Sequence, residues 1–286
     1  MRRFFILQSV LLLSSACIFA QSLFETTKRA AENGDKISQY HLGFYYVNGD
    51  KAAQDSTKAI YWWQQAANQG LKEAQYQLGL CYYYGNGVEK DFLTARELFK
   101  PLAETGDARA QLKYGQCYEF CSVENQDFRQ AMLWYRMAAE QGLAQAQYCL
   151  AECYAFKKGV VRDDEKAFYW YKKAADLGLV YAQERVGFCY LYGEGVERDE
   201  VEALYWYQLA AERGYAHAQY VLGNHYEYGP FGEQNYEKAI YWYRKAAEQG
   251  HDSAQQALGQ CYLNGKGVEK NEFLGYYWIH RANGGR

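Results

Sequence analysis

Residues 241–250 read YWYRKAAEQG, and near copies stand at 61–70 (YWWQQAANQG), 133–142 (LWYRMAAEQG), 169–178 (YWYKKAADLG) and 205–214 (YWYQLAAERG). A catalytic centre needs its unusual residues once, so a phrase written five times is a building unit. Its last residue supplies the ruler: glycine recurs at 34, 70, 106, 142, 178, 214 and 250, always 36 apart. On that ruler Gln stands at 39, 75, 111, 147, 183, 219 and 255, and Tyr at 46, 82, 118, 154, 190, 226 and 262. A fixed period of this length is the signature of a solenoid, in which each unit must stack on its neighbours to bury its apolar face.

Each unit spells two helices. In the second repeat Ala74, Leu78, Cys81 and Tyr82 recur at i, i+4, i+7 and i+8, which is one helical face, and predict helix A over about 72–84. The GNGV at 85–88 breaks it, and Asp91 opens helix B over about 92–104. The Asp91 slot holds Asp55, Asp91, Asp127, Asp163, Asp199, Asn235 and Asn271, an N-cap residue every time. Such a side chain accepts from the free amides of the first turn, which contributes about 1 kcal/mol per cap. The Trp and second Tyr of YWY are the large knobs of helix B, and the Ala pair is the flat patch on which the next helix lies. Glycine at 43, 79, 115, 187, 223 and 259, with Ala151 in the fourth repeat, lets the two helices approach closely. Residues 23–33 read as a helix B without its partner, and the last helix, near 272–282, stops short of its glycine slot. The expected architecture is therefore all-α: a solenoid of seven 36-residue helix pairs plus an unpaired N-terminal helix, over 21–286.

The pattern A-x-A-Q-Y-x-L-G-x-x-Y-x-x-G-x-G-V, followed by D-x-x-x-A-x-x-W-Y-x-x-A-A-x-x-G, resembles the Sel1-like repeat, a relative of the tetratricopeptide repeat. The resemblance covers about 23–283; the loops of the first, third, fourth and sixth repeats lack the full G-x-G-V. It implies a right-handed α-solenoid whose A helices line a concave face, and an adaptor in protein complexes. Some cysteine-rich members tie helix A to helix B through an eight-residue cysteine spacing. That spacing is missing here, so neither their bridges nor the β-lactam activity attributed to them carries over.

Composition narrows the function classes. Lys plus Arg total 31 against 34 acids, with no local basic run, which argues against nucleic acid as a partner. The first twenty residues, MRRFFILQSVLLLSSACIFA, carry two arginines, an apolar stretch from Phe4 to Leu13 and small residues up to Ala20. This is the pattern of a cleaved export signal, and the stretch is short of the about 20 residues a membrane span needs. Cleavage is expected after Ala20, for a periplasmic or secreted product, and takes the formal net charge from −3 to −5. Cys17 offers a lipoprotein alternative, and a membrane association is expected only by that route.

No cofactor or metal is expected. Of the seven cysteines beyond the leader, Cys81, Cys117, Cys153, Cys189 and Cys261 share one core-facing column and read as small hydrophobes. A bridge among Cys117, Cys121, Cys149 and Cys153 stays open as an alternative. Consecutive A helices about 10 Å apart nevertheless exceed the Cα separation a disulfide tolerates. The two C-x-x-x-C pairs sit offset for a four-thiolate zinc site, and the five histidines are scattered. No nucleophile motif occurs, and the G-x-G triplets lack the Lys-Ser/Thr of a phosphate loop. Glu119, Glu152 and Glu227 read as solvated charges, and the chain reads as a non-enzyme.

A partner site is expected on the non-core face of helix A. Its slots hold Tyr76, Leu80, Tyr83, Tyr84, Arg109, Glu119, Phe120, Tyr148, Glu152 and Phe156. Aromatic anchors beside single charges suit a protein or peptide. Glycan strands, which also stack on Tyr and Trp, are the alternative, and a hydrolase of cell-wall-related substrates a more distant one.

Overall fold

A computed structural model describes residues 22–49, 53–229 and 234–284. The expected leader and Cys17 lie outside the described residues. So do parts of the first and sixth repeat loops. Among the described residues there are helices and no strands. Residues 22–32 form α1. The A helices are α2 (Lys36–Asn48), α4 (Lys72–Tyr84), α6 (Ala108–Phe120), α8 (Ala144–Ala155), α10 (Val180–Tyr192), α12 (Ala216–Tyr228) and α14 (Asp252–Asn264). The B helices are α3 (Ser56–Asn68), α5 (Phe92–Glu104), α7 (Phe128–Glu140), α9 (Asp164–Asp176), α11 (Glu200–Glu212), α13 (Tyr236–Glu248) and α15 (Glu272–Ala282). The chain divides into two compact units, one up to Gln141 and one from Gly142. Each is a stack of helix pairs.

The expected caps form. Asp91 accepts from the amides of Leu93 and Thr94, and Asp55, Asp127, Asp163, Asp199, Asn235 and Asn271 cap their B helices likewise. Hydrogen bonds from Thr94 hold the Asp91 carboxyl below its ordinary 3.8. The helix-A glycine is a contact surface. A Cβ on Gly223 would lie 2.3 Å from the Tyr243 ring, and one on Gly79 would lie 2.6 Å from Phe99. The loop glycines serve backbone shape as well as contact. Gly195 has φ +71°, and a Cβ there would meet the Asp164 carbonyl. The fourth repeat has Lys157 in the left-handed slot that Gly85, Gly193 and Gly265 fill elsewhere, at φ 59°.

The recurrent Gln proves to be a latch between repeats. Gln39, Gln111, Gln183, Gln219 and Gln255 each donate Nε2 to the carbonyl of the alanine eight residues back, on the preceding B helix. Three of them also accept a second bond. Gln69, Gln141 and Gln249, just past the next B helix, donate to the Oε1 of Gln39, Gln111 and Gln219 at 2.7–2.8 Å. For Gln183 that position is Arg213, which turns to the Gly178 carbonyl, and the buried Gln183 Oε1 has no hydrogen-bond partner. A buried amide with one end unmet costs about 1–3 kcal/mol. Gln255, in the same unit, likewise has an unpartnered Oε1, so both are single latches, and the Gln183 bond is the longer at 3.3 Å against 3.0 Å.

Candidate interaction surface

The interior of each pair decides which side chains are left for the surface. The third residue of the phrase is buried in every repeat from the first to the sixth: Trp63, Phe99, Tyr135, Tyr171, Tyr207 and Tyr243. Burying one contributes about 1.5–3 kcal/mol. A buried hydroxyl then needs an acceptor. The Tyr135 hydroxyl donates to Glu119 Oε2 at 2.6 Å, Tyr171 donates to Glu152, and Tyr243 donates to Glu227 Oε2 at 2.8 Å and Asn224 Oδ1 at 2.6 Å. Burial, then the Glu227 carboxylate, pushes the Tyr243 hydroxyl well above its ordinary range, so it stays a donor.

This corrects part of the expected site. Glu119 is buried and Glu152 half-buried, each occupied by a tyrosine of its own helix pair rather than standing as a solvated charge. Tyr83 is also buried, edge-on to Phe92 at 5.3 Å. Helix A turns its slot 83 partly under the following B helix, a rotation the helical wheel alone does not supply. Tyr76 is half-buried against Phe99, with the exposed Arg109 guanidinium 5.1 Å above its ring and bonded to Asp107. Leu80 is half-buried beside it. Tyr148 is half-buried between Tyr171 and Tyr181, with ring centroids at 5.5 and 5.1 Å.

What stays open is one slot, the last turn of helix A. Tyr84 is 55% exposed and Phe120 50%, both in the first unit; Phe156 at 53%, Tyr192 at 63% and Tyr228 at 72% follow in the second. Five successive repeats therefore present a ring at the same position. In the first unit Lys113 lies across the row: its Nζ is 4.3 Å from the Tyr83 centroid, 4.9 Å from Tyr84, and bonded to the Tyr84 hydroxyl at 2.9 Å. In the second unit Arg185 lies over Phe156, Tyr171 and Phe188 at 5.0–5.6 Å. The sequence reading missed both cations, although each stands 36 or 72 residues from its equivalents in one column. It also missed a second row, the first Tyr of the phrase. Tyr61, Tyr169, Tyr205, Tyr241 and Tyr277 are exposed on the B helices, each edge-on to the next residue, a Trp, at 4.9–5.4 Å.

The cysteine column is core, as expected: Cys81, Cys117, Cys153, Cys189 and Cys261 are buried. Burial pushes the Cys81 and Cys261 thiols up to about 11 and those of Cys117 and Cys189 to about 12, which leaves them unreactive near neutral pH. Among the described residues no group of three His, Cys, Asp or Glu side chains is placed to hold a metal ion. No helix there is long and apolar enough to cross a membrane.

Stacked helix pairs with a ring repeated at one slot define a helical-repeat scaffold suited to protein–protein interaction. The chain belongs to the Sel1 repeat family: the family profile matches at 36–71, 72–107, 108–143, 144–179, 180–215, 216–251 and 252–283. It is similar to a solved protective antigen of uropathogenic Escherichia coli strains with an SLR fold, at 35% identity and TM-score 0.75 over 90% of this chain. The chain spans 56% of that antigen's length. A solved Sel1 repeat protein from Oxalobacter formigenes is 33% identical, with TM-score 0.77, over 91% of this chain and 75% of that one. Yeast Tom70, at 14% identity and TM-score 0.53, shares the fold over 93% of this chain and 58% of that one. No match is found among curated proteins.

Proposed function

We propose that the protein is an exported scaffold, cleaved after Ala20, that binds a protein or peptide along the last turns of its A helices. The observation that carries this reading is the exposed ring at Tyr84, Phe120, Phe156, Tyr192 and Tyr228. Folding does not need large apolar side chains at an exposed slot five times over, whereas binding surfaces concentrate their energy in such anchors. The supporting observation for export is the leader pattern in 1–20. The uropathogenic relative is a protective antigen, which fits a protein that antibodies reach.

The test is affinity capture from envelope and medium fractions, with the parent beside Tyr84→Ala/Phe120→Ala. Both side chains are half or more exposed, so the variant keeps its thermal midpoint. A protein retained by the parent and lost by the variant supports the reading. Identical capture by both overturns it, and retention on isolated glycan strands by the parent alone replaces it with the glycan reading. N-terminal sequencing of the exported product, starting at Gln21, checks the cleavage site.

A further inference from the structure

The two cations that cover the ring row share one column, whose slots from the second to the sixth repeat read Gln77, Lys113, Cys149, Arg185 and Val221. Lys113 and Arg185 stand 72 residues apart; one repeat beyond Arg185 the same slot is Val221. The three rings under Arg185 are Phe156, Tyr171 and Phe188. Their equivalents one repeat on are Tyr192, Tyr207 and Asn224, and all three line a cavity of about 450 Å³ together with Val221. Where Arg185 fills its cup from within the chain, the cup at Val221 stands open.

Its walls keep the character that holds a cation. Phe188, Tyr220 and Tyr228 add three more rings, whose π-faces attract a guanidinium or ammonium within about 6 Å. Glu200 stands at the rim beside Arg198, and the buried Glu184 carboxylate lies behind the wall, 2.9 Å from His217 Nδ1. The acceptor of the Tyr171 hydroxyl, Glu152, is replaced here by Phe188, so no acid in that slot claims the Tyr207 hydroxyl. Arg185 lies over Phe188 on the neighbouring side, and leaves the exposed Tyr192 and Tyr228 for an incoming charge, with the buried Tyr207 as the floor and Tyr220, stacked on His251, as a side wall. The first and second repeats repeat the rule: Gln77 occupies the column there, and a cavity of about 540 Å³ opens beside it. That cavity has Ser56 where the other has Glu200, which makes it the poorer cation site.

We propose that the cup at Val221 receives the lysine or arginine side chain of a partner polypeptide, in the place that Lys113 and Arg185 take in their own repeats. The inference rests on the protein-binding reading above and names the chemistry of that partner: an exposed basic segment. The chain supplies the template for the contact twice and leaves the third copy to be completed from outside.

The experiment is ligand-observed NMR titration of the full chain with acetyl-Gly-Ser-Arg-Ser-Gly-amide and with the same peptide carrying neutral citrulline. The arginine peptide is expected to bind at least tenfold more tightly. Val221→Arg, which fills the cup as Arg185 fills its own, is expected to weaken it at least tenfold. Tyr192→Leu/Tyr228→Leu, which keeps apolar area at two exposed positions but removes the rings, is expected to weaken it about fivefold and guards against a misfolded Val221→Arg. Equal affinity for citrulline, undiminished binding by both variants, or no binding of either peptide overturns the proposal. If Val221→Arg still captures the partner that Tyr84→Ala/Phe120→Ala loses, the cup fails while the protein-binding reading stands. If the Tyr84→Ala/Phe120→Ala variant captures the same set as the parent, the protein-binding reading fails as well.

Discussion

The second and sixth repeats reach one shape with different chemistry at their centres. In the second, Phe99 fills the space beside Gly79, and Leu80 and Tyr83 close over it from helix A. In the sixth, Tyr243 lies against Gly223, and the same two positions are Asn224 and Glu227, both accepting the tyrosine hydroxyl. In the sixth repeat one oxygen atom on the core ring is met by two polar residues on the facing helix. An acid on helix A is no sign of chemistry when its repeat carries a tyrosine on helix B.

The largest test breaks both repeats equally. A Cβ on Gly79 or Gly223 lands within 2.6 Å of the facing ring. Gly79→Val and Gly223→Val should each cost about 3 kcal/mol by overpacking, read as a fall in the denaturation midpoint. A difference of more than about 1 kcal/mol between them would mean that the two repeats are not built alike. Next comes the change that separates them. Glu227→Leu strands the Tyr243 hydroxyl on Asn224 alone, removes the bond from Lys266 Nζ, and should cost about 2 kcal/mol. Tyr83→Leu at the equivalent position should cost less than half of that, because Phe99 asks nothing of it. Tyr243→Phe should cost about 1 kcal/mol alone and less in the Glu227→Leu background, since the double variant approaches the second repeat's design. A double-mutant cycle without coupling would refute the hydroxyl–acid account.

Acid sharpens the comparison further. The second repeat caps helix B with Asp91 and the sixth with Asn235. Asp91 has a folded pKa below its ordinary 3.8, so its contribution is fully present above that value and is lost as the pH falls through the folded pKa. Asn235 does not titrate. Hydrogen exchange at pH 3 against pH 6, corrected for intrinsic rates, should loosen the first turn of α5 and spare that of α13. The smallest effect concerns the fourth repeat. Lys157→Gly relieves a left-handed lysine and should raise stability by about 0.5 kcal/mol, less than the strain itself because glycine also frees the unfolded chain.

Much of this was written in the 36-residue columns. The helix boundaries at 72–84 and 92–104, the seven caps, the close-approach glycines and the cysteine core follow from local preference and period, which neighbouring repeats reinforce. The surface was less legible. Assigning Tyr83, Glu119 and Glu152 to an open face required knowing how far helix A rolls under the next B helix, and tertiary packing sets that angle. Reading down the columns would have paired Glu119 with Tyr135 and Glu227 with Tyr243, since both acids stand sixteen residues before their tyrosine. The function of Gln was hidden for another reason: a recurrent polar residue names its importance but not its partner, and the alanine carbonyl eight residues back carries no side-chain signal.

Those glutamine latches have a mechanical consequence. In the second unit, loading the chain between its ends strains each junction in series, and a series yields at its weakest link. Gln219 is held on both sides, by Ala211 and by Gln249, while Gln183 and Gln255 each hold the preceding helix by one bond, at 3.3 and 3.0 Å. The unit should tear first between α9 and α10. The second bond is absent there because position 213 is an arginine, whereas position 249 keeps the glutamine that serves Gln219.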